Sequence, residues 1–562
     1  TWTVDTIQQS IVSAPDETSV LHPDQAIEVA GLAERVEAAF GAPQDIEWAF
    51  DGATLHILQA RPITTELKPA PQADPQVVIY DNSNIVESYP GLVSPLTYSF
   101  ACYAYARVYK AFVKLVGVRD EVIADNAPVF DNMLGRVDGR VYYNLVNWYR
   151  ALALLPGFAL NRAHMETMMG VSEPLPQEVT AKIGQSDLST GARIVEVVRM
   201  ARAGTGLAFQ AMRLRRTISG FQDRLDAALG PQSLDWQDAS LSELVAEYRR
   251  IEASLLDNWD APIINDFLCM MSFGASRKMM EKWFGGPGLE LHNHVMIGQG
   301  DIISAEPARR IASMGAMVAK VDGLADAIDR NGVDALADHA DMRGEFDAYI
   351  EKFGDRCTEE LKLESVTLDE DPSSLLAAVA ASARRPAGAQ PDAAPQIHDF
   401  AAVTAGKPLR ASMARWFVGW AKARVRDREN LRFERTRLFG RARKLFLAMG
   451  RELVALGHLE NRRDVFHLTV QELLGSVEGF ASTQDLQPLV NLRRDEMLAS
   501  AGRNDPPERI TVRGAAINVA SSAASEDPVL PAGSDDTTRS GTACSAGLVT
   551  ATAVSYTHLT LP

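Results

Sequence analysis

From about residue 78 to about residue 505 the sequence carries helical patterning almost without interruption, and this run decides what the chain can fold into. Tyr98, Cys102, Tyr105, Val108, Tyr109 and Phe112 recur at helical spacing, as do Ile194, Val197, Val198 and Ala201. Ala411 to Leu456 reads as one charged helix suited to crossing a whole domain. A strand pair around Gly135 to Tyr142 breaks the run, and an Ala/Pro-rich stretch, Ala377 to Gln396, reads as a long loop or disordered insert.

The flanks differ. Residues 1–66 mix helix and strand: Pro23-Asp24-Gln25 opens an amphipathic helix, and Asp45 to Phe50 and Thr54 to Ile63 read as strands around Asp51-Gly52. A Pro-rich linker occupies 67–77, and the helical domain is expected over 78–505. Residues 506–554 open a β-rich region, and 555–562 read as a non-native tail set aside from fold reasoning. The expected fold class is mainly α with α+β ends. With Thr1 in place of an initiator Met and the final region stopping early, both ends read as cut.

At 562 residues the chain is too long for one core. Its formal net charge of -17 argues against nucleic acid as the main partner, though one local Arg cluster can still hold a small anion. The four cysteines are widely spaced, which disfavours a disulfide framework or structural zinc and fits a cytoplasmic location. No run of about eighteen apolar residues is present. No membrane partner is therefore expected.

The strongest chemical signal is Asp45-Ile46-Glu47-Trp48 followed by Leu58-Gln59-Ala60-Arg61-Pro62. Side chains alternate along a strand, so Gln59 and Arg61 share a face, and the turn decides whether Glu47 joins them. A three-residue loop, Asp51 to Ala53, is expected; it sets Glu47 opposite Ile57 and on the face of Gln59 and Arg61. A carboxylate and an amide oxygen suit Mg²⁺, and a guanidinium suits phosphate. Taken alone, the three also fit a solvated strand face with an incidental Glu–Arg pair.

These two segments resemble the closing strands of the ATP-grasp domain in the phosphoenolpyruvate synthase and pyruvate phosphate dikinase superfamily. The resemblance implies that 1–66 is the C-terminal part of that domain, with Glu47 and Gln59 holding Mg²⁺ and Arg61 contacting ATP phosphates. Asp81 to Gly91 with Ser94-Pro95-Leu96-Thr97, Phe353 to Leu361, and Asp464 to Thr469 resemble the helical substrate domain of the rifampicin-phosphotransferase-like branch. Gly541 to Leu548 resembles the turn opening a swivelling phosphohistidine domain, so 506–554 would be its start. The implied activity moves the ATP β-phosphoryl through a histidine to a small-molecule acceptor, pyruvate or another alcohol-bearing compound, with AMP and phosphate released. The histidine of the resemblance falls after this chain, so these residues alone are expected to be inactive. A rifampicin-type antibiotic phosphotransferase is the more specific alternative, and a helical scaffold with an ATP-grasp remnant the non-enzymatic one.

Other candidates have plainer readings. His292 and His294 beside Gly285-Gly286-Pro287-Gly288 read as a loop that lacks the ligands for a metal site, His467 as a packed histidine, and Arg309-Arg310 as a salt-bridged pair. Arg356, Glu359 and Glu360 favour structural ion pairing. Tyr142, Tyr143, Trp148 and Tyr149 read mainly as core.

Overall fold

The computed structural model describes residues 2–5, 10–13, 21–42, 44–63, 77–156, 158, 175–180, 183, 190–230, 236, 238–297, 302–385 and 400–513. The expected phosphohistidine-domain turn and the C-terminal tail lie outside them. The chain divides into two units, Thr1–Ala73 and Asp74–Pro562.

In the first unit, β1 (Thr3–Asp5) pairs antiparallel with β2 (Ser10–Ser13), and β3 (Gln44–Asp51) with β4 (Thr54–Pro62). Helix α1 (Pro23–Phe40) starts with Pro23 in its first turn, where the missing N–H costs nothing, and the Gln25 side chain accepts from the His22 N–H. Gly41, left-handed at φ 67°, ends it. Ala26 and Val36 are the buried positions of α1.

The second unit is helical around one small sheet of order β6-β7-β5-β8, made of β5 (Val77–Asp81), β6 (Leu134–Val137), β7 (Arg140–Asn144) and β8 (Arg509–Arg513). Asp138 and Gly139, both with positive φ, close the β6–β7 hairpin. Gly135 is required there, since a Cβ would collide with the Tyr80 ring. Helix α2 (Pro95–Leu115) begins as the sequence predicts: Ser94 is its N-cap and Pro95 opens the first turn. The Glu364 carboxylate accepts from the Ser94 N–H and from the Ser94 and Thr97 hydroxyls, placing negative charge at the helix N-terminus.

Further helices of this unit are α3 (Leu145–Ala153), α4 (Thr190–Leu229), α5 (Leu241–Ser254), α6 (Asp260–Ile297), α7 (Ser373–Ala383) and α8 (Pro408–Ala455). The 48-residue α8 is the predicted long helix. Its C-terminal half buries Leu438, Phe439, Leu445, Phe446 and Leu453 in the main core with Phe100, Tyr248 and Leu473. Arg443, fully enclosed there, donates to the Leu363 and Lys362 carbonyls at 2.9 Å each.

Two sequence expectations need correction. Part of the 377–396 stretch is helix, because α7 buries Val379 and Ala380; residues 386–399 lie outside the described set. His292 is in α6 rather than a loop: Gly285 alone leaves helical geometry, at φ 70° and ψ -151°, and helix resumes through Pro287 to Ile297.

Candidate functional site

The β3–β4 hairpin brings the predicted residues together by an unpredicted route. The loop is two residues long, Gly52-Ala53, with Asp51 paired to Thr54, and not the three-residue loop expected. That register continues to Trp48↔Ile57. A bulge then leaves Leu58 without a partner and pairs Glu47 with Gln59 and Asp45 with Arg61. One extra residue flips side-chain alternation on its strand. Asp45, Glu47, Gln59 and Arg61 therefore share one exposed face, while Ile46, Trp48 and Ala60 are more buried.

On that face Arg61 donates from Nε to Asp45 Oδ2 at 2.8 Å. Asp45, through its hydrogen bond and charge, raises the Arg61 pKa, and Glu47 adds to the effect. Both side chains of the pair are more than half exposed, so the contact orients the guanidinium and stabilises the fold little. A carboxylate and an amide oxygen directly across a strand pair, with a fixed guanidinium beside them, form a donor set that fits Mg²⁺ keeping waters or phosphate oxygens as its other ligands. No group of three or more metal-ligating side chains occurs among the described residues.

A second polar constellation lies in the helical unit. Arg424, Arg428, Arg432 and Arg435 follow one another along α8 at helical spacing, facing Asn265, Asp266 and Cys269 of α6. Arg428 Nε stands 3.6 Å from Asp266 Oδ1. The Nε atoms of Arg424, Arg428 and Arg435 are buried without a hydrogen-bond partner among the described residues. Burial, with Arg428 beside it, lowers the Arg432 pKa, and burial raises that of the Asp266 carboxyl although three arginines oppose the shift. Yet the Asp266 side chain is 47% exposed and that of Arg432 49%. Asp266 and Arg432 are thus crowded by protein and still reached by water, as groups at the mouth of a cleft are.

The stripe on α2 forms its other wall. Arg435 lies close enough to act on the Tyr89 and Tyr105 hydroxyls. The Tyr105 and Tyr143 rings lie together with centroids 6.1 Å apart, and Trp148 Nε1 donates to the Tyr109 hydroxyl at 3.0 Å. Phe112 meets Phe267 of α6 at 5.5 Å between ring centroids. Burial pushes the Cys102 thiol up to about 11, so it is no ready nucleophile. Tyr142, Trp148 and Tyr149 are core, as expected, and Tyr143 is the member of that set facing the cleft. The arginines were not singled out from the sequence; their regular spacing was the available signal, and the face they share with α6 was not.

The remaining candidates take their plain readings. His292 is fully buried, with Nε2 2.8 Å from Ser276 Oγ, and burial lowers its pKa. Burial also lowers the pKa of His467. Arg356 pairs with Glu360 at 2.8 Å, Glu359 with Lys362 at 2.9 Å, and Arg310 bonds the Ala348 carbonyl.

Comparison with known proteins bears on both places. Residues 3–78, which include Glu47, Gln59 and Arg61, match the family model described as pyruvate phosphate dikinase, AMP/ATP-binding domain. Residues 264–429, which include Asp266 and Arg428, match rifampicin phosphotransferase fourth domain. Both matches point to a similarity with the phosphoenolpyruvate-utilizing enzyme superfamily. Within it, a rifampicin phosphotransferase of Streptomyces sp is 26% identical over 529 residues, covering 89% of this chain and 56% of that protein. The prodigiosin synthesizing transferase PigC of Serratia marcescens is 25% identical over 381 residues, 63% of this chain and 41% of that one. A probable phosphoenolpyruvate synthase of Pyrococcus horikoshii is 51% identical over 51 residues, 9% of this chain and 6% of that one. The chain thus spans about half the length of the curated relatives it matches over most of its own.

Proposed function

We propose that this chain is part of an ATP-dependent phosphotransferase that moves the β-phosphoryl of ATP, through a phosphohistidine, to a small molecule bound in the helical unit. The observation that carries the reading is the cross-strand pair Glu47–Gln59 with Arg61 on the same face, inside the stretch matching an AMP/ATP-binding domain. Glu47 and Gln59 would hold a Mg²⁺ ion, which when bound neutralises charge on the nucleotide phosphates. Arg61, oriented by Asp45, would contact phosphate oxygens and steady the charge of the transferring group.

The cleft supports placing the acceptor in the helical unit, as the rifampicin phosphotransferase relatives suggest. Unpartnered arginine donors suit a phosphoryl group, and the tyrosine wall suits the body of an organic acceptor. Asp266, whose carboxyl burial pushes up, is placed to take the proton from the acceptor hydroxyl, since a stronger carboxylate base does this better. Neither His292 nor His467 is assigned the relay: His292 is fully buried against Ser276, and His467 is packed in the helical unit.

The test is ATP labelled at the β-phosphorus, given to the whole protein of which this chain is part, with an acceptor panel spanning pyruvate and hydroxylated antibiotics. Label in an acceptor, with AMP and phosphate as co-products, is the expected result. Label released as ADP, or retention of transfer in Glu47→Ala and Arg61→Ala, would sink the reading. Nucleotide binding without turnover on any acceptor would favour the scaffold alternative.

A further inference from the structure

Helix α8 carries apolar residues on two faces in its first half. Ala414, Val418 and Ala421 are buried with Met280, Leu291 and Met296 of α6, which accounts for one face. The other is exposed: Leu409 is 82% exposed, Met413 60% and Trp416 70%. These three fall at positions i, i+4 and i+7, one stripe of a helix. The stripe leads to Trp420, which packs beside Leu207 and Ala211 of α4 on the cluster of Leu214, Ile264 and Leu268. Trp416, Phe417 and Trp420 form a chain of ring contacts at 5.9 and 6.3 Å.

The charge along this part of α8 is of one sign. Between residues 408 and 426 the chain has five basic residues and no acid, in a protein of net charge -17. At 3.6 residues per turn, Arg410 flanks the stripe on one side and Arg415 and Lys422 on the other, between the exposed and buried faces. Arg410 reaches over the Trp283 ring and Arg415 over Phe400.

We propose that this face docks on an anionic lipid surface, with Leu409, Met413 and Trp416 entering the boundary of headgroups and acyl chains and the flanking cations meeting the headgroups. An apolar centre edged by long basic side chains suits that interface, where the stems stay apolar and the charges stay wet. A second copy docked through the same face would set arginine against arginine. A duplex of nucleic acid gives an apolar stripe nothing to bury against. The described chain has no helix long and apolar enough to cross a membrane, and lying on one requires none. The inference sets aside the sequence expectation of no membrane partner, and it stands apart from the phosphotransfer reading.

The experiment is co-sedimentation of the full chain with vesicles of phosphatidylcholine alone or mixed with phosphatidylglycerol, across a salt series. Binding to the mixed vesicles, weak binding to phosphatidylcholine and decline with salt are expected. Trp416→Ser with Met413→Ser should weaken binding to both. Arg415→Glu with Lys422→Glu should weaken binding only to the anionic vesicles, on the order of tenfold or more. All four side chains are surface groups, and unchanged circular dichroism would show that the variants fold. Absence of sedimentation, or binding unmoved by either pair of changes, overturns the proposal. So does self-association lost in the Trp416 variant, or retention on an acidic protein or on DNA, with vesicles left unbound.

Discussion

The β3–β4 hairpin and the arginine–tyrosine cleft are both polar constellations, built in opposite ways. In the hairpin, residues within seventeen positions of one another meet across a single turn, and their chemistry sits open to water. In the cleft, Tyr105 and Asp266 meet arginines of residues 424–435, contributed by three helices far apart in sequence. The hairpin can hold a hydrated cation and a charged nucleotide because water remains available there. The cleft crowds Arg428, Arg432 and Arg435 around the partly desolvated Asp266 carboxylate, with Glu429 beside Arg432 and Asp427 beside Arg424, and the surplus of positive charge favours an anion.

The comparison is broken most directly by exchanging losses. In the whole protein, Arg428→Ala with Arg432→Ala should lower phosphoryl transfer to the acceptor on the order of 10²- to 10³-fold while nucleotide affinity stays near wild type. Glu47→Ala should weaken Mg²⁺-dependent nucleotide binding instead, read by calorimetry with and without the ion. If both variants lose nucleotide binding alike, the division of labour is wrong.

A second effect is in pH. Burial raises the Asp266 pKa, so as pH falls the carboxylate is lost before ordinary aspartates are. The transfer rate should fall through that window, above the usual aspartate range, and Asp266→Asn should flatten the limb while lowering the plateau. The folded state favours the protonated form, so the contribution of Asp266 to stability is greatest below the unfolded aspartate pKa and is lost as pH rises through the folded value. Wild type should therefore lose stability relative to Asp266→Asn over the same rise, which thermal melts in a pH series would show.

A third change separates the units by packing. Gly135→Ala forces a Cβ onto the Tyr80 ring and should cost about 1–3 kcal/mol in denaturant unfolding of the helical unit. Nucleotide affinity of the hairpin should hardly change. The smallest effect is expected from deleting Leu58: the bulge disappears, Glu47 still faces Gln59 and Asp45 still faces Arg61, and nucleotide affinity should stay near wild type. A large loss would mean that the bulge itself aims the site.

These contrasts also explain what could be read from the sequence. Ser94 and Pro95 at the start of α2, the span of α8 and the shared face of Gln59 and Arg61 follow from local rules of capping, period and alternation. The bulge at Leu58 did not, because an unpaired residue has no compositional mark, and the common face was expected from a wrong loop length. Gly285 to Gly288 carries strong turn signals, yet only Gly285 departs from helix and His292 stays enclosed beside Ser276. The cleft was least legible. Arg428, Arg432 and Arg435 look like any charged helix face until α6 and α2 close over them.

One strand pair in the helical unit has a mechanical meaning. Val77, the first residue of β5, pairs with Arg513, the last of β8, so the polypeptide enters and leaves this body at neighbouring points. The hydrogen bonds of an antiparallel ladder run across its strands, so tension applied at these two points would open the pairing one residue at a time, from Val77 and Arg513 inward, and the sheet would yield before the helices packed on it.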